Sequence, residues 1–178
     1  MYTEIVIAIF AVMTIMVFIV LHRVIKRTFD SSSNWEENDQ VSAIKMIVDD
    51  INRAKERILL FSGTGETYNN EKILKALKKK DIPIKMVFEN PNIGTTPLHD
   101  LVIKKPNMSL SFVETSDPNL RHFRVVDYDY VYFEKRHDAG SYKRYYKRLF
   151  NTRFLPAKYS KKFYSIKTQA IACENYSC

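Results

Sequence analysis

A chain of 178 residues has room for one modest domain and an appendage. Its formal charge is +8, from 28 Lys and Arg against 20 Asp and Glu, and residues 135–167 hold eleven of the cations with a single acid, Asp138, so the remainder is slightly acidic. The two cysteines, Cys173 and Cys178, both lie in the extreme tail, which excludes a disulfide framework and any cysteine-based metal spacing.

Ile5 to Leu21 is apolar apart from Thr14. The run is slightly short of the ~20 residues of a spanning helix, and Tyr2, Thr3, Val24 and Ile25 can extend it. A cleaved signal peptide would need a cationic start and a small-residue cleavage site, and neither is present. No Lys or Arg precedes the run, whereas Arg23, Lys26 and Arg27 follow it. The expectation is a single-pass anchor over residues 1–27 with the rest of the chain in the cytoplasm. Residues 28–39 read as a polar linker. Trp35 either touches the bilayer surface or packs on the domain, and Asn38 or Asp39 can cap the next helix.

The domain proper is expected over residues 40–167, followed by a tail, 168–178. Val41 to Lys55 has apolar residues at helical spacing: Val41, Ile44, Ile47, Val48 and Ile51. Arg57 to Ser62 reads as a buried strand, and Gly63-Thr64-Gly65-Glu66 as the turn beyond it. A helix starts at Asn70 or Glu71 and ends in Lys78-Lys79-Lys80, where cations suit the dipole. Ile82 to Phe88 is a strand, and strand–helix–strand implies a parallel pair with a crossover. Leu98 to Lys104 suits a short helix and Met108 to Val113 a third strand. Tyr142 to Phe154 reads as a final helix with Tyr142, Tyr145, Tyr146, Leu149 and Phe150 on one face. The other face would carry Lys143, Arg144, Lys147 and Arg148, a candidate surface for phosphates of lipid or nucleic acid. The fold class is α/β with a mixed sheet and flanking helices.

Between the third strand and that helix lies the stretch with the most chemistry, Arg121 to Glu134. It reads as two β-branched and aromatic strands joined by Asp127-Tyr128-Asp129. His122 and Arg124, two apart on a strand, should share a face. An imidazole beside a guanidinium can address a phosphate, one moving protons or attacking, the other holding oxygens. Other candidates have plainer readings. Gly63-Thr64-Gly65 is a weak phosphate cradle and a good turn. His99-Asp100 and His137-Asp138 read as solvated pairs, and no metal site or cofactor is expected.

His122, Arg124 and Asp129 stand at the spacing H-x-K-x4-D with Arg in place of Lys. With residues 54–61, 73–77 and 82–88, this stretch resembles one half of a phospholipase D superfamily domain, from Val41 to about Phe154. The resemblance implies a site in which one histidine forms a phosphohistidine, its counterpart protonates the leaving oxygen, and paired lysines bind phosphate. Single-half members complete that site as homodimers, and an N-terminal anchor brings the membrane-anchored ones nearest. Three departures stand out. Arg124 is not a simple substitute for lysine. A hairpin shortened by two residues would make Asp127 the motif aspartate. Glu134-Lys135-Arg136-His137 occupies the place of the family's Gly-Ser-x-Asn, and no acid lies between Asp138 and Glu174, so His122 lacks an orienting acid unless Asp127, Asp129 or Glu66 supplies one. The favoured expectation is a membrane-anchored, catalytically degenerate domain that recognises phosphate groups of anionic lipid or nucleic acid. The alternatives are an active homodimeric phosphodiesterase, nuclease or phospholipase, with His122 as nucleophile, Arg124 on the phosphate and Asp129 in the motif, and a structural interaction module.

Overall fold

The computed structural model describes residues 10–21, 36–38, 40–89, 96–114, 122–134, 144–150 and 154–172. The chain divides into two compact units, residues 1–35 and 36–178. In the first, residues 10–21 form a helix, α1, whose apolar side chains, Phe10 and Phe18 among them, are exposed. No helix among the described residues is long and apolar enough to cross a membrane. The expected span Ile5–Leu21 begins before α1, and its flank Arg23, Lys26 and Arg27 lies outside the described residues.

The second unit is an eight-stranded mixed sheet with helices on both faces. In chain order the strands are β1 (Glu36–Asn38), β2 (Ile58–Ser62), β3 (Ile84–Phe88), β4 (Met108–Phe112), β5 (His122–Val126), β6 (Tyr130–Glu134), β7 (Arg144–Phe150) and β8 (Ile171–Ala172). The helices are α2 (Gln40–Arg53), α3 (Glu71–Lys78), α4 (Pro97–Lys104) and α5 (Phe154–Lys167). Across the sheet the order is β1-β7-β6-β5-β2-β3-β4-β8. The three strands β2, β3 and β4 are parallel, and every other pairing is antiparallel.

Local chemistry accounts for the elements the sequence indicates. Asn70 caps α3 by accepting a hydrogen bond from the Lys72 amide at 3.0 Å. Thr96 does the same for α4, with Pro97 next to it. Strand alternation sends Ile58, Leu60, Ile84, Met86, Phe88, Met108, Leu110 and Phe112 into one core with Ile47, Ile51, Ile73, Leu77 and Leu98 of the helices. The opposite face of the central strands meets α5, where the Tyr159 ring packs edge-on against Phe123 and Phe133, with centroids 5.1 and 4.6 Å away.

Several expectations need correction. Residues 144–150 are a strand and not part of a helix; α5 starts only at Phe154. The physical cause is the open edge of β6. All five residues of β6 are buried, so its outer backbone groups need partners, and β7 supplies them from Tyr130↔Phe150 to Glu134↔Tyr146. The helical face proposed for Arg144, Lys147 and Arg148 therefore does not exist, and Lys143 lies outside the described residues. The end of the expected linker, Glu36–Asn38, is an edge strand on β7. The start of the expected tail pairs with β4 through Ile171 and Ala172. Val41 is 71% exposed and leaves the core face of α2, whereas Asp50 lies on it, buried.

Candidate functional site

Strand β5 places the two motif residues. His122 and Arg124 both lie on the α2 side of the sheet, each opposite a β6 residue: His122↔Glu134 and Arg124↔Tyr132. Their shared face follows from the two-residue spacing, as the sequence indicates.

Arg124 is 2% exposed. Its Nε donates to Asp50 Oδ2 at 3.1 Å, its Nη2 donates to the same oxygen, and its Nη1 donates to the Tyr68 hydroxyl at 3.2 Å. The guanidinium carbon stands 4.4 Å from the centre of the Tyr132 ring. Tyr130 donates to the other Asp50 oxygen at 2.6 Å. Burial works against the charge, but the Asp50 carboxylate outweighs it and holds Arg124 firmly protonated. Burial likewise pushes the Tyr68 hydroxyl up, against the pull of Arg124. An internal carboxylate thus occupies the guanidinium fork that would hold phosphate oxygens.

His122 is ringed by acids. Its Nε2 is 3.4 Å from Glu89 Oε2, its Nδ1 3.7 Å from Glu134 Oε2, and the ring meets Phe61 edge-on at 6.0 Å. Burial disfavours the imidazolium, but Glu134 and then Glu89 favour it more strongly, so its pKa is raised to about 9. The orienting acid expected beyond Asp138 is therefore supplied from elsewhere: Glu89 follows β3, and Glu134 ends β6. Gly63, read from sequence as plain turn, makes room for the ring. A Cβ there would stand 3.0 Å from His122 Cε1.

The two aspartates of the hairpin separate cleanly. Asp127 is buried, and its carboxylate accepts from the amides of Lys55, Glu56 and Arg57 at 2.9, 2.8 and 2.9 Å. It alone of the described non-glycine residues has positive φ, 52°, and its own amide donates to the Arg57 carbonyl. Asp129 is exposed in the turn. The hairpin is thus short, and Asp127 is the aspartate that ties it to the α2–β2 connection. Neither aspartate joins His122, since both sit at the far end of β5.

Between His122, Arg124, Tyr68, Tyr132 and Glu134 lies a cavity of about 10 Å³, room for roughly one water. No group of three or more potential metal ligands occurs among the described residues.

Parallel β2-β3-β4, an antiparallel hairpin carrying His122 beside them, and helices on both faces define a phospholipase D-like α/β fold. Its solved neighbours agree. The structure superposes on a phospholipase D family member, Nuc from Salmonella typhimurium, with TM-score 0.61 and 15% identity, covering 78% of this chain and 95% of that one. NucT from Helicobacter pylori gives 0.56 at 12% identity over 78% and 99% of the two chains. TrmBL2, an archaeal chromatin protein with a novel mode of DNA binding, gives 0.59 at 15% identity over 80% of this chain and 54% of its own. No protein-family profile and no curated protein matches the sequence.

Proposed function

We propose that this chain is a membrane-anchored phospholipase D-like domain that recognises phosphate or phosphodiester groups without cleaving them. The observation that carries the absence of cleavage is Arg124, while recognition draws on the chain's excess of cations, a formal charge of +8. The cation at the motif position is neutralised by Asp50 inside the fold. A phosphate approaching His122 would meet two glutamates, and an imidazolium with a pKa of about 9 holds no lone pair for attack on phosphorus at neutral pH. The fold shared with a phospholipase D family member and with a DNA-binding archaeal chromatin protein supports the substrate class. The apolar α1 supports an anchor.

The test is the purified full chain, offered a chromogenic phosphodiester, plasmid DNA and phospholipid vesicles. The expected outcome is no turnover above buffer for the wild type or His122→Ala, together with salt-dependent binding to phosphate-bearing polymers or surfaces. Turnover that His122→Ala abolishes would instead establish the second reading, an active homodimeric phosphodiesterase. That reading draws on one contact, the Glu134 carboxylate at His122 Nδ1, which could orient the ring for nucleophilic work.

A further inference from the structure

The sheet has a second polar corner, on the face away from His122. Lys85 in β3 and Ser109 in β4 are direct neighbours in the parallel register, and both point to the α5 side, opposite Ile84, Met86, Met108 and Leu110. Lys167, the last residue of α5, donates to Ser109 Oγ at 3.3 Å. Lys85 donates to the Tyr164 hydroxyl at 3.5 Å, with its ammonium 5.1 Å from the centre of that ring. Burial lowers the Lys167 pKa, and the nearby Lys85 charge lowers it further. Among the described residues, neither lysine has a carboxylate partner. Two like charges are held close together, each with a hydroxyl as partner.

The corner continues along α5. This helix contains four lysines and no acid. Its exposed positions, 154, 157, 158, 161, 162, 164 and 165, recur at helical spacing and share one side of the helix. Phe154, 68% exposed, and Tyr164, 40% exposed, bracket Lys158 and Lys161 on it. Aromatic bodies among lysines whose long stems can reach outward are the composition of a helix that lies on an anionic membrane surface. Nucleic acid would also be drawn to the charge, but it gains most from open aromatic faces for base stacking. At Tyr164 the Lys85 ammonium covers a face of the ring, and Phe163 packs against it edge-on with centroids 5.6 Å apart.

We infer that the α5 stripe, with Lys85 and Lys167 at its end, is a docking surface for anionic phospholipid headgroups. This rests on the phosphate-recognising reading above and gives it a location and a partner. It leaves the His122 site outside the contact.

The test uses the full chain with Cys173→Ser and Cys178→Ser, and with Ser165→Cys bearing an environment-sensitive fluorophore. An apolar N-terminal segment can attach the protein to any vesicle, so the readout is the emission at position 165 and not the bound fraction. Phosphatidylcholine vesicles should leave the emission unchanged. Adding a minority of phosphatidylserine or phosphatidic acid should shift it to the blue, and salt should reverse the shift. Lys85→Glu with Lys167→Glu should weaken the anionic-lipid response by roughly tenfold or more. Lys161→Glu, at an exposed position with no packing role, should weaken it while leaving the thermal transition in place. The inference is overturned by equal shifts with both vesicle types, by silence with both, by a response to inorganic phosphate alone, or by one to a short single-stranded DNA and not to vesicles. If the wild type binds phosphate-bearing material while position 165 stays silent, only this inference falls. If it binds none, the functional proposal falls with it.

Discussion

The two faces of one sheet treat their cations in opposite ways. On the α2 face, Arg124 is enclosed with Asp50, Tyr68, Tyr130 and Tyr132. On the α5 face, Lys85 and Lys167 meet hydroxyls and, among the described residues, no carboxylate. A buried cation with its acid belongs to the fold, because desolvation is compensated only while both partners remain. A rim cation without an acid stabilises little by itself and leaves its field available to an outside anion. Sequence position made Arg124 the functional candidate, but the physical situation makes it a structural one.

The sharpest way to break this comparison is Asp50→Ala. It leaves a guanidinium buried without compensation, and unfolding free energy should fall by about 3–5 kcal/mol. Chemical denaturation with unchanged m would read this directly. Replacing both partners, Asp50→Leu with Arg124→Met, should recover most of the loss. No loss of stability in Asp50→Ala would mean that Arg124 is free to serve a ligand.

Next in size is the hairpin. Asp127→Ala removes three charge-assisted backbone contacts and places alanine at φ 52°. About 3 kcal/mol should be lost. Asp129→Ala, at an exposed turn position, should change stability by no more than about 0.5 kcal/mol. Equal losses at the two positions would return Asp129 to the motif role that its spacing assigns.

Much of this was legible in the chain. The order β2, α3, β3, α4, β4 and the hairpin follow from period, caps and turn residues, because those signals are local. Asp127 was legible only as a rival, since spacing cannot see the amides of residues 55–57. Asp50 could have been found: it stands three residues after Ile47 and one before Ile51, on the apolar stripe of α2, and a buried acid there demands a cation. Glu134 stands opposite His122 in the hairpin register, which the turn at residues 127–129 makes readable, whereas Glu89 reaches it from the end of β3, an approach that depends on sheet order and not on sequence distance. The β7 error has a related cause. Tyr-Tyr-Lys-Arg-Leu-Phe fits a helical period, and only the unpaired edge of β6, a tertiary fact, decides against it.

The acid-ringed histidine gives the third expectation. With its pKa raised from 6.5 to about 9 in the fold, His122 binds its proton more tightly there than in the unfolded chain. Its contribution, roughly 3 kcal/mol, is fully present below pH 6.5 and disappears as pH rises through 9. His122→Gln should flatten that part of the stability profile. A histidine resonance titrating near 6.5 in NMR would show that Glu89 and Glu134 do not hold the ring as the distances imply.

The smallest effect is the one that separates the two faces most directly. Lys85→Gln removes one member of the like-charge pair while keeping length and a donor for Tyr164. If Lys85 and Lys167 served the fold, this change would destabilise. Because they repel one another and have no acid partner among the described residues, stability should instead stay level or rise by a few tenths of a kcal/mol after solvent screening. Salt should shrink the difference, since screening already relieves the repulsion in the wild type. Binding to anionic vesicles should move the other way and weaken. A residue whose removal helps the fold and harms the contact is retained for the contact. Thermal melts at low and high salt, run on Lys85→Gln beside Asp50→Ala, would place the two cations on opposite sides of that line. A loss of more than about 1 kcal/mol for Lys85→Gln at low salt would put Lys85 with Arg124, as part of the fold.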